Sequence, residues 1–232
     1  GGYSLERAER RTQELVAAGF TTIKVKVGTN PDDDVARVKM VRETMGPDLE
    51  LTIDANAGWD AATAIAAMKR MNDCNVALFE QPTPRGDFAA LAEVRQAITP
   101  EIMADDICFD LADAKECIRN NACDVINVYP GKNGGISKTA AIVSYAAEHG
   151  IPCSIGSNLE LDIASAAMCH VVVGCPNMNI EQYPGDILGP EYHEVSIVKN
   201  PLKIEGPVIT IPDAPGLGIE VDWGLVEAHA AD

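Results

Sequence analysis

The chain has 232 residues, enough for one large domain, and a net charge of −17, which excludes nucleic acid and anionic membranes as partners because phosphate surfaces require basic ones. Apolar residues make up 47% and charged residues 23%, as in ordinary globular proteins, and no apolar run approaches the roughly 20 residues that span a bilayer. The cysteines (Cys74, Cys108, Cys117, Cys123, Cys153, Cys169 and Cys175) are odd in number and lack a C-x-x-C pair, which argues against zinc clusters and a disulfide framework and implies free thiols in the cytoplasm.

The opening "GGYSLERAER" has no secretory pattern and reads like the middle of a longer sequence. From there β-rich runs recur at 20–27, 50–54, 76–80, 102–105, 124–129, 151–155 and 178–183. Between them lie alanine-rich segments with helical spacing: "DDDVARVKMVRETM", "AATAIAAMKRM", "DFAALAEVRQAI", "DLADAKECIRN" and "SKTAAIVSYAAEHG". Alternation of this kind requires parallel strands with covering helices. An open doubly wound sheet lacks its G-x-G-x-x-G fingerprint here, and the even strand-helix steps favour a (β/α) barrel. The expected organisation is a barrel over 1–183 and a loop-rich tail over 184–232 that completes the barrel and capping region. An eight-stave barrel needs one more strand, expected before residue 1, so "GGYS" reads as the loop after that strand and strand 20–27 should border a gap.

In such a barrel the chemistry sits at the C-terminal ends of the strands. These ends read Lys26, Asp54, Glu80, Asp105, Tyr129, then Ser154 or Ser157 with Glu160 beyond, and Tyr183. Three successive acids, expected at one height, repel unless protonated or neutralised, and an all-oxygen set suits a hard divalent ion, Mg²⁺ before Mn²⁺. Lys24 and Lys26 share one strand face beside them. Singly, each has a plain explanation: a strand-end Asp often caps a helix, as expected for Asp106 or Asp110, and edge-strand lysines guard against aggregation. Three acids on consecutive strand ends next to paired lysines favour a site.

The motifs "IKVKVG", "IDANAGW", "FEQP", "IMADD", "VINVYPGKNGG" and "PDAPGLGIEVD" resemble the enolase superfamily, in its muconate lactonizing branch rather than its mandelate racemase branch. The resemblance implies a modified (β/α)7β TIM barrel, an N-terminal capping segment absent from this chain, and a homo-oligomer. It makes Asp54, Glu80 and Asp105 the Mg²⁺ ligands and Lys26 the base that removes the proton α to the carboxylate of a small substrate. Lys24 is expected to lower the pKa of Lys26 or to contact the enolate oxygen. Asn56, Asn127, Lys132, Glu160 and Tyr183 become substrate contacts. One departure stands out: the branch usually carries a second lysine where this chain has Tyr129, and racemisation needs two bases on opposite faces. Tyr129 is therefore expected either to fill the barrel mouth or to donate a proton, and dehydration of a hydroxy acid becomes the favoured reaction. Cycloisomerisation and amino-acid or dipeptide epimerisation stand as alternatives, with a non-catalytic barrel relative as a further one. His170 is expected to be a packed helix residue.

Overall fold

The structure, a computed structural model, describes residues 3–230 and divides into two compact units, 1–127 and 128–232. Gly1 and Gly2, part of the expected preceding loop, lie outside the described residues.

The first unit alternates helices and strands: α1 (Leu5–Ala17), β1 (Thr22–Lys26), α2 (Pro31–Met45), β2 (Glu50–Asp54), α3 (Ala61–Arg70), β3 (Val76–Glu80), α4 (Phe88–Ala97), β4 (Glu101–Ala104), α5 (Leu111–Arg119) and β5 (Val125–Val128), whose last residue opens the second unit. The strands are parallel and neighbour one another in chain order, as expected. Among the described residues β1 pairs with β2 alone. Ile53, Phe79 and Ile102 are buried on one face of the sheet and Thr52, Leu78 and Met103 on the other, and this two-sided burial explains why the strands do not alternate apolar with polar residues.

The helices start where caps dictate. Asn30 accepts from Asp32 N, Pro31 occupies the first turn, and Asp32, Asp33 and Asp34 place negative charge at the positive end of the α2 dipole. Asp60, Asp87 and Asp110 cap α3, α4 and α5, and Asp110 forms a capping box with Asp113. Asp106 is no cap: its carboxylate faces Asn56 and Arg85. Helix α1 carries no expectation above, although Ser4 caps it by accepting from Arg7 N.

The second unit is less regular. It contains the short helix α6 (Pro130–Asn133), α7 (Ile136–Glu148), β6 (Cys153–Ile155), α8 (Asp162–Gly174), a hairpin of β7 (Lys203–Glu205) and β8 (Val208–Thr210), and α9 (Trp223–Ala228). Gly156 N donates to Val128 O at 3.1 Å, which aligns β6 with the end of β5. The strand expected at 178–183 is reduced to a single bridge, Cys153 with Met178. The chain turns at once afterwards, with Tyr183 N on Asn179 O, and then meets Pro184 and Gly185, where the Ile155 main chain leaves no room for a Cβ. The buried carboxylate of Asp162 ties the tail down by accepting from Leu202 N and Ser196 Oγ, each at 2.9 Å.

Candidate active site

In the first unit β1 sends Ile23 and Val25 into the core and leaves Lys24 and Lys26 on the opposite face, with side chains 32% and 52% exposed. The register sets Lys26 against Asp54 and Asp54 against Glu80. The three acids are buried, with Asp54 at 0%, Glu80 at 3% and Asp105 at 6% exposure. Glu80 pairs with Met103, so Asp105 lies two residues further along, past the end of β4.

The ammonium groups answer the buried charge. Lys24 Nζ sits 3.0 Å from Glu80 Oε2 and 4.0 Å from Asp54 Oδ2. Lys26 Nζ donates to Asp54 Oδ2, and to Asn56 Oδ1 at 2.9 Å. Asn56 tolerates its left-handed φ of 42°, and its main-chain N–H donates to Asp54 Oδ1 at 2.8 Å. Asn127 Nδ2 donates to Glu80 Oε1 at 3.0 Å. Burial, followed by the neighbouring Glu80 charge, pushes the Asp54 carboxyl up to about 6 against the pull of both lysines.

Gln81 is a residue that the sequence reading quoted without assigning it a task. It is fully buried, adopts a φ of 36°, and donates from Nε2 to Thr83 O at 2.7 Å. Its Oε1 accepts from Asp105 N at 3.0 Å and Ile107 N at 3.2 Å, so one side chain ties the β3 exit to the loop carrying Asp105. The polar Gln inside "FEQP", otherwise apolar after its Glu, is the signal that could have singled it out.

Three buried carboxylates from successive strands, with oxygen-only donors, have the chemistry a hard divalent cation takes. Among the described residues no three acidic, Cys or His side chains close into an ion cage. Gathering Asp54, Glu80 and Asp105 on one cation would require Lys24 and Lys26 to release the oxygens they hold.

In the second unit Tyr129 lies just past β5, with its backbone still extended, at the cap position of α6. Its ring is buried, its hydroxyl donates to Asn158 Oδ1 at 3.2 Å, and Lys132 Nζ is 4.9 Å from the ring centroid. Glu160 Oε2 accepts from Ser157 Oγ at 2.7 Å and from Asn158 N at 2.9 Å. Its Oε1 is buried without a hydrogen-bond partner, and a Cβ placed on Gly131 would lie 3.1 Å from it. Asn158, which links Tyr129 to Glu160, carries no expectation above. Tyr183 is buried, but its hydroxyl engages Gln182 and its carbonyl accepts from Ser154 Oγ at 2.8 Å, so these contacts do not bring it to Tyr129. His170 is partly buried on α8, its Nε2 3.3 Å from Leu217 O.

Among known proteins, residues 7–225 match the family model described as Enolase C-terminal domain-like. A hydrophobic dipeptide epimerase of Enterococcus faecalis is 35% identical over 212 residues, covering 90% of this chain and 59% of the relative. An L-Ala-D/L-Glu epimerase of Bacillus subtilis is 32% identical over 221 residues, covering 93% of this chain and 59% of the relative. The solved dipeptide epimerase from Enterococcus faecalis V583, complexed with Mg and the dipeptide L-Leu-L-Tyr, superposes with a TM-score of 0.89 at 34% identity, over 95% of this chain and 62% of that one. The chain thus spans about three fifths of the length of these relatives. With parallel strands and covering helices in the expected order, and a family match over most of its length, the chain belongs to the enolase C-terminal domain-like family, whose fold is a modified TIM barrel.

Proposed function

We propose that this chain is the catalytic barrel of an isomerase that removes and returns the proton α to the carboxylate of a small amino-acid derivative, as an epimerase does. The observation that carries this reading is the pair of lysines on one face of β1, each set against a buried carboxylate. Lys26 acts as the base once its amine is neutral and free of Asp54, while Lys24 keeps its charge beside Glu80 and holds negative charge in place. Asp54, Glu80 and Asp105 would hold Mg²⁺, which when bound would supply positive charge to offset the charge developing on the substrate carboxylate. The names of the relatives favour isomerisation over the dehydration expected from sequence, and they name dipeptides as the substrate class to try first.

Epimerisation needs a second proton-transfer group, and Lys132 and Tyr129, side by side in the second unit, are the residues to test. Dehydration is the second reading, favoured by the phenol of Tyr129 where the family resemblance leads one to expect a lysine. A phenol with an ordinary pKa near 10 donates a proton to a leaving hydroxide more readily than it takes one from carbon. Substrate selection by an N-terminal capping segment and assembly as a homo-oligomer belong to the same proposal.

The test is incubation with Mg²⁺ in D₂O with dipeptides, N-acyl amino acids and hydroxy acids, followed by NMR. Deuterium at the α carbon, with both epimers formed from either one, is the expected result. Formation of an oxo acid from a hydroxy acid without epimer formation would put dehydration first. Exchange of both epimers that persists at the parent rate in Lys26→Ala would show that Lys26 is not a base.

A further inference from the structure

Behind the lysine-bearing strand, α2 turns two buried charged side chains back onto the loop it follows. Asp34 is 0% and Arg37 7% exposed, and they pair at 2.7 Å. Arg37 Nη1 also donates to the main-chain carbonyl of Lys26 at 3.0 Å, and Nε donates to Tyr3 O at 2.9 Å. Asp34 Oδ2 accepts from Thr29 N at 2.9 Å, and its Oδ1 lies 3.2 Å from the Thr29 hydroxyl. The peptide that joins Lys26 to Val27 is therefore held on both sides, its carbonyl by Arg37 and its N–H by Asp54 O at 2.8 Å.

A buried ion pair contributes little net stability, because desolvation offsets most of the attraction. Helix α2 does not need this one to begin, since Asn30 and Pro31 already start it. What the pair does is connect the residue that ends β1 to the turn three residues later. A lysine side chain has four rotatable bonds, so the direction in which its root leaves the strand decides where Nζ can reach.

We propose that the Asp34–Arg37 pair is a positioning device for Lys26, fixing the peptide at the root of that side chain so that the amine meets Asp54, Asn56 and the reacting carbon. Neither residue touches substrate. Both act through Lys26, so the proposal rests on Lys26 being the base. Arginine suits the task because its fork serves a carboxylate and a carbonyl together, which a lysine ammonium at that place cannot do with the same geometry. A misplacement of about 1 Å at a reacting group costs about 10²-fold in rate.

The test uses two variants. Asp34→Asn/Arg37→Met removes both charges, so neither is left buried and unpaired, and Arg37→Lys keeps the charge pair but loses the fork. For each, thermal melting, kcat and KM for α-proton exchange, and amine labelling of Lys26 relative to Lys39 without substrate or Mg²⁺ are measured. The expected result is a cooperative melt, a fall in kcat of about 10- to 10²-fold, and a KM within about threefold of the parent. The Lys26 labelling rate should change while that of Lys39 stays constant. A folded double variant with the parent's kcat and labelling ratio overturns the proposal, as does a loss expressed in KM alone. If the double variant does not fold, Arg37→Lys is judged by the same limits. Labelling is independent of turnover, so a wrong assignment of Lys26 as base, exposed by Lys26→Ala, is distinguishable from failure of the clamp.

Discussion

The two units satisfy their buried polar groups in opposite ways. At the strand ends of the first, charge answers charge: Lys24 and Lys26 hold Glu80 and Asp54, and Arg37 holds Asp34. Around Tyr129 and Glu160 in the second, neutral groups make the hydrogen bonds described above, Asn158 to the phenol and Ser157 and a main-chain N–H to the carboxylate, while the Lys132 ammonium lies 4.9 Å from the phenol ring. A charged network in a low-dielectric place responds to pH and to added cations, whereas a neutral one holds its geometry across both. The pH and cation response is thus expected chiefly from the carboxylates of the first unit.

The sharpest way to break this contrast is by substitution. Lys26→Ala should lower α-proton exchange by at least about 10²-fold for the epimer whose proton Lys26 removes, the usual scale for loss of a general base. Lys132→Ala should remove exchange of one epimer and spare the other, because a second base serves only one face. Equal effects of the two variants on both epimers, measured by NMR in D₂O, would show that the division of labour is wrong.

A second test uses pH. The Asp54 carboxyl rises from 3.8 to about 6 on folding, chiefly through burial and then through Glu80. Between these values the unfolded chain has lost the proton that the folded chain keeps, so stability falls as pH rises. In chelator the melting temperature should therefore drop from about pH 4 to about pH 6 and then level off as far as this group is concerned, and Asp54→Asn should flatten the drop. Adding Mg²⁺ should raise the melting temperature more near pH 7 than near pH 5, because the ligands must be deprotonated to bind. An Mg²⁺ effect that is the same at both pH values would count against these carboxylates as the ligands.

Smaller effects test each unit's scaffold. Asp162→Ala leaves the Leu202 amide and the Ser196 hydroxyl without their acceptor and should cost about 1–3 kcal/mol, with faster hydrogen exchange at Leu202. Asp110→Ala removes the α5 cap from the first unit and should cost about 1 kcal/mol in denaturant unfolding, with exchange at Leu202 unchanged. A cost for Asp110→Ala larger than that for Asp162→Ala would reverse the ranking of cap and tail anchor.

Much of the fold was legible because local chemistry specifies it. The strands at 50–54 and 76–80 coincide with the apolar runs, and α2 to α5 begin at the Asn and Asp caps. Side-chain alternation already placed Lys24 and Lys26 on one face, and strand ends already singled out Asp54, Glu80 and Asp105. The run at 178–183 misled because β-propensity describes a residue's fit to a pleated surface, and here the chain turns after one bridge, with Tyr183 N on Asn179 O, before it can extend along β6.

What only the tertiary structure decided is which groups, distant in sequence, answer one another. Register moved Asp105 two residues beyond Glu80, Gln81 became the tie to the Asp105 loop, Asn158 became the partner of Tyr129, and Arg37 reached back to the Lys26 carbonyl. Periodicity and capping are carried by neighbours along the chain and can be read from it directly. Hydrogen bonds and ion pairs across turns and strands depend on angles and offsets of a few ångströms that arise only when the elements pack.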